Sequence, residues 1–132
     1  MKFLRRMLLL GMVLQLSYWP LARAEPLTIA QTEINYLLDF IEISGCEFYR
    51  NGSWHDSVQA QRHLRGKYEY LSSRNRIETA EDFITRAASK SSLSGRSYEV
   101  RCGVCTTLTS NEWLHAVLAR YRTVMARKSG PM

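Results

Sequence analysis

Three cysteines constrain the fold of this 132-residue chain more than any other feature, because a small domain gains a large share of its stability from one covalent cross-link. Cys46, Cys102 and Cys105 are an odd set, so one thiol is left over whichever pair closes. Cys46 and Cys102 each adjoin a segment that reads as a strand, and neighbouring strands bring Cα atoms within bridging distance. The expected pairing is therefore Cys46–Cys102, with Cys105 free. Closing a loop of about 56 residues is worth ~4 kcal/mol in the chain-entropy description of a disulfide.

Such a bridge requires an oxidising compartment, and the N-terminus supplies the address. Lys2, Arg5 and Arg6 precede an apolar run from Leu8 to Leu16, and Ala22-Arg23-Ala24 has the small residues of a cleavage site. Residues 1–24 therefore read as a cleavable secretory signal, and residues 25–132 as one exported globular domain. The run is too short for a stable membrane span, so no lasting insertion is expected. Removing four bases and no acids leaves 14 bases against 12 acids, a net of +2 where the full chain carries +6. That balance lacks the concentrated basic surface of a nucleic-acid binder.

Along the body, Thr28 and Gln31 have capping-box spacing, and Ile34, Leu37, Leu38 and Ile41 follow at helical periodicity up to Gly45. Glu47 to Arg50, Asn51-Gly52 and Ser53 to His55 read as a hairpin around the strongest short turn signal. Asp56 and Gln59 repeat the capping spacing, and Val58, Leu64, Tyr68 and Leu71 form the apolar stripe of a second helix, weakened by Gly66. Thr79 caps a short third helix with Phe83, Ile84 and Ala87 inward. Tyr98 to Cys102 is a late strand, a loop runs through Thr109, and Ser110 caps a fourth helix bearing Trp113, Leu114, Val117, Leu118 and Tyr121. The fold class is α+β, about four helices packed on a small antiparallel sheet made of the hairpin plus one later strand.

Several groups of residues carry possible chemistry. Cys102-Gly103-Val104-Cys105 is a CxxC, the spacing of thiol oxidoreductases, but a strand precedes it and four residues separate it from the next helix, which removes the activating helix dipole. Arg62, Arg65, Lys67, Arg74 and Arg76 interleave with Tyr68 and Tyr70, a pattern suited to a phosphate, an acidic glycan or an acidic protein patch, or to a plain solvated helix face. The run Ser89-Lys90-Ser91-Ser92-Leu93-Ser94-Gly95 has the hydroxyls and lysine of a Ser/Lys hydrolase, yet neither SxxK nor GxSxG occurs. His55, His63 and His115 lie on separate elements, so no metal and no cofactor is expected.

Four segments also carry a family resemblance: Ser44 to Gly52, His63-Leu64-Arg65, Thr79 to Ile84 and Ala88 to Tyr98. In this order and spacing the chain resembles the YfeK-like family, small exported bacterial proteins classed as a domain of unknown function. The resemblance implies a periplasmic protein and directs attention to Arg50, Asn51, His63, Arg65 and the Ser89, Lys90, Ser91, Ser92 loop as ligand-binding positions. It implies no catalytic role. The sequence thus favours a non-enzymatic binding or adaptor module for an anionic ligand or an envelope protein. The alternative is a periplasmic enzyme, working through Cys102 and Cys105 or through the Ser/Lys loop.

Overall fold

The computed structural model describes residues 20–22, 24–104 and 106–131. The expected leader falls almost wholly outside the described residues, and so does Cys105.

Helix α1 (Ile29–Ile43) starts where expected: Thr28 Oγ1 accepts from the Gln31 amide at 3.1 Å and the Gln31 side chain accepts from the Thr28 amide at 2.9 Å. Its apolar stripe, Ile34, Leu37, Leu38 and Ile41, is at most 1% exposed and forms the centre of the core. The helix stops because Gly45 takes φ +66°, a left-handed conformation that costs glycine little. Cys46 follows at once, bonded to Cys102 across a Cα separation of 4.4 Å. The pairing read from the strand neighbours is the one the fold adopts.

Strands β1 (Glu47–Arg50) and β2 (Ser53–His55) form the hairpin, with Asn51 at φ 48° and Gly52 at φ 90°, the doubly left-handed turn that matches strand twist. The sheet has four strands in the order β2-β1-β3-β4, all antiparallel. Its third member is β3 (Glu99–Arg101), shorter than the expected Tyr98 to Cys102. The fourth, β4 (Leu108–Thr109), lies where a loop was expected; two residues are too few for alternation to show in sequence, and pairing with β3 alone makes them a strand.

Helix α2 (Ser57–Ser72) is capped by Asp56, whose carboxylate accepts from the Gln59 amide at 2.8 Å, and it runs through Gly66 unbroken. Of the expected stripe, Leu64, Tyr68 and Leu71 lie in or against the core and Val58 does not. Ser57, Ala60 and Leu64 are buried, while Val58 is 45% exposed. The cap sets the helical phase so that small residues face α1, where Ser57 Oγ donates to the Glu42 carbonyl at 2.9 Å.

Helix α3 (Ala80–Asp82) is capped by Thr79 as expected but is a single turn that widens into a π-helical stretch over Phe83–Ala87, closed by the Ala88 amide donating to the Phe83 carbonyl at 3.1 Å. Phe83, Ile84 and Ala87 are fully buried. Helix α4 (Ser110–Lys128) is capped by Thr109, not by Ser110: Thr109 and Glu112 form a complete capping box, and Ser110 is already the first helical residue. Arg122, from the far half of α4, donates twice to Glu33 on α1 at 2.8 Å and also to Glu81 on α3. No helix among the described residues is long and apolar enough to cross a membrane.

Candidate functional site

One face of α2 gathers polar side chains at helical spacing. Gln59, His63 and Lys67 lie four apart, as do Arg62, Gly66 and Tyr70, so they form two adjacent rows. Opposite them stand Arg50 and His55 of the hairpin and Tyr98 at the entrance to β3. Between α2 and the serine loop runs a groove of about 390 Å³, lined by Arg62, Gly66, Lys67, Tyr70 and Ser92. A second depression, about 440 Å³, is bounded by Arg50, His55, Gln59 and Arg62. His63 belongs to both and joins them into one cleft.

The floor of the cleft is a hydrogen-bond chain. Lys67 Nζ donates to the Lys90 carbonyl at 2.8 Å and to the Tyr98 hydroxyl oxygen at 3.2 Å, and His63 Nε2 lies 3.1 Å from that same oxygen. An ammonium only donates, so the Tyr98 oxygen accepts from Lys67; its contact with His63 Nε2 carries the phenol proton in the Nδ1–H tautomer and the imidazole proton in the Nε2–H tautomer. Burial, reinforced by the charges of Arg50, Lys67 and His55, lowers the His63 pKa from its ordinary 6.5 to about 4. Burial and Arg50 likewise lower Lys67 to about 8. The Tyr98 hydroxyl is pushed upward by burial, with Arg50 opposing. Among the described residues Arg50, Arg62 and Lys67 form no ion pair with a carboxylate. The cleft thus concentrates positive charge and polarised donors with no built-in counter-charge.

The positions singled out from sequence are only partly brought together. Arg50, His63 and Ser92 meet at the cleft. Lys90 contributes its backbone carbonyl, and its side chain is exposed. Asn51 serves the turn, and its side-chain oxygen accepts from Ser94 Oγ at 2.7 Å, clasping the hairpin tip to the serine loop. Ser91 is buried, its hydroxyl oxygen accepting from the Leu93 and Ser94 amides, and Ser89 bonds to the Ile84 carbonyl and to Asn111. Arg65 is not among the residues lining the cleft. The sulfur of Cys102 is taken by Cys46. Among the described residues no group of three or more His, Cys, Asp or Glu converges as a metal site.

Sequence reasoning placed Lys67 in a basic cluster, weighed His55 as a strand residue and as one of three scattered histidines, and read Tyr98 as a strand residue. The four-residue spacing of Gln59, His63 and Lys67 was the available signal for a shared face; that Tyr98 closes it depends on β3 pairing with β1, a contact between residues 50 positions apart that no local pattern reports.

The fold and its cleft define a small, disulfide-linked α+β domain with a cationic surface depression. The chain belongs to the family of unknown function DUF5329, whose model matches residues 28–122. It is also similar to the uncharacterized protein YfeK of Salmonella typhimurium (strain LT2), with 41% identity over 69 residues, a match that spans 52% of this chain and 56% of the relative. No solved structure gives a significant match.

Proposed function

We propose that this protein is an exported, periplasmic, non-enzymatic binding module that holds a small oxyanion, or the phosphate or carboxylate group of an envelope component, in the cleft around His63. One observation carries the reading: Arg50, Arg62 and Lys67 converge on a half-buried histidine with no carboxylate to balance them. Self-repulsion of this kind is costly to the empty protein and is relieved by an anion. The Tyr98 hydroxyl adds a switchable donor. In the Nδ1–H tautomer of His63 the phenol proton is held by Nε2; when His63 gains a proton its Nε2–H donates to the Tyr98 oxygen instead, which frees the phenol proton for another acceptor. Export is supported by the leader-like N-terminus and by a disulfide of the type that persists in oxidising compartments.

Isothermal titration of residues 25–132 with sodium sulfate tests the binding. Saturable uptake is expected, with affinity reduced about tenfold in Lys67→Gln or Arg50→Gln, the loss of one charge-assisted hydrogen bond. Wild-type affinity retained by both variants, or no binding by the wild type, would overturn the reading. For the export component, Edman sequencing of protein recovered from the envelope should begin at Glu25; an intact Met1 on that material removes the proposal.

A further inference from the structure

Gly66 stands in the interior of α2, where glycine is less favourable than alanine. Nothing among the described residues calls for it. Its φ is not left-handed, and a Cβ built on its backbone would meet no atom within 4 Å. What a side chain at this position would enter is the groove between α2 and the serine loop, which Gly66 lines. The α2 backbone is therefore bare between Arg62, one turn before, and Tyr70, one turn after. The rest of the lining divides into apolar and polar parts. Tyr70, 57% exposed, and Leu71 supply the first; Arg62, Lys67 and Ser92 supply the second. Arg74 lies 3.8 Å over the Tyr70 ring and helps to hold it in place. The Lys67 ammonium spends two of its three N–H donors on the Lys90 carbonyl and the Tyr98 oxygen, which leaves one for a ligand. The groove volume, about 390 Å³, falls within the range of small-molecule sites, roughly 300–1,000 Å³, and a bare oxyanion fills only a small part of it.

We propose that the cleft takes an anionic monosaccharide unit, a pyranose carrying a phosphate or a carboxylate, and that Gly66 is the specificity-determining residue that admits its ring. The proposal rests on the anion-binding reading above and narrows it. A pyranose joins in one molecule the three features the lining complements. Its anionic group suits Arg62 and Lys67. Its ring C–H groups, which carry partial positive charge, suit the negative face of the Tyr70 ring and the bare backbone at Gly66. Its hydroxyls suit Ser92, which both donates and accepts. A side chain at position 66 would lift the sugar off the helix while leaving the cations in place.

Calorimetric titration of the full disulfide-linked protein with glucose 1-phosphate and with inorganic phosphate tests this, the second ligand being the first without its sugar. Glucose 1-phosphate is expected to bind about tenfold more tightly, the equivalent of one added hydrogen bond and its ring contact. Gly66→Leu, which sets a strong helix former in the groove, should bring that preference to about one while raising the midpoint of thermal unfolding. Tyr70→Ala should reduce the preference without the gain in stability. Glucuronate measured against acetate separates the two sources of charge: a preference in the phosphate pair assigns a sugar phosphate, one in the carboxylate pair a uronic acid, and either supports the proposal. No preference in either pair, a preference retained by folded Gly66→Leu, or phenyl phosphate bound as tightly as glucose 1-phosphate overturns it. Inorganic phosphate bound with no gain from the sugar defeats this proposal alone, whereas no binding of any of these ligands defeats the anion site with it.

Discussion

His63 shows how one residue couples the fold to pH. Its pKa in the folded chain is about 4, against an ordinary 6.5, so between these values the unfolded chain binds more protons than the folded one. Stability is therefore fully present above about pH 6.5, declines as pH falls through the window, and levels out below about 4. The side chain is open to solvent on the cleft side, which keeps the penalty well below that of a sealed histidine. An anion beside His63 reverses the preference, since it favours the imidazolium. Sulfate remains a dianion throughout this range, so its affinity should rise from pH 7 to pH 5 with net proton uptake measurable by calorimetry in two buffers. His63→Gln should flatten that pH dependence; a profile as steep in the variant assigns the proton elsewhere. Lys67, lowered to about 8, is the second titrating group of the cleft, and it loses its charge only above neutrality.

At the scale of elements, two contacts decide how the helices sit. Arg122 ties α4 to Glu33 on α1 and Glu81 on α3, and Glu33 is nearly buried while the arginine keeps one side in water. Removing one partner of a sealed pair costs about 3–5 kcal/mol and of an exposed pair below about 1, so Arg122→Leu should cost on the order of 2 kcal/mol in urea unfolding. The ion pair itself holds the Glu81 carboxyl below its usual range. Thr109→Ala should cost about 1 kcal/mol through the lost cap. The elements that the sequence displays best are those whose signals are local. The Thr28–Gln31 box, the Asn51-Gly52 turn and the Leu114, Val117, Leu118 spacing each announce α1, the hairpin and α4 without outside help. The elements it hides are set by distant partners: β4 exists through β3, the burial of Ser57 in place of Val58 follows from the approach to α1, and the π-helical stretch follows from packing Phe83 into a formed core. The cleft is hidden for the same reason. Its α2 rows are legible at spacing four, whereas Arg50 and Tyr98 arrive only when the sheet assembles. The serine loop uses its hydroxyls within its own turn, the Ser91 and Ser94 oxygens accepting from the Leu93, Ser94 and Arg96 amides, a use that composition alone does not display.

For the whole molecule, the Cys46–Cys102 bridge joins the residue before β1 to the residue after β3, closing 56 positions of chain. Reduction should remove ~4 kcal/mol and lower the midpoint of thermal unfolding by on the order of 20 °C, read by circular dichroism with and without a phosphine reductant. An unchanged midpoint under reduction would show that the core holds without the bond. The sheet that this bond secures has outer strands of only three residues, Ser53–His55, and two, Leu108–Thr109. A border so brief offers a neighbouring molecule hardly any free peptide groups to align against. Crowded copies of this protein therefore lack a template for ribbon growth, and concentrated solutions should stay clear of fibrils as long as the native sheet is intact.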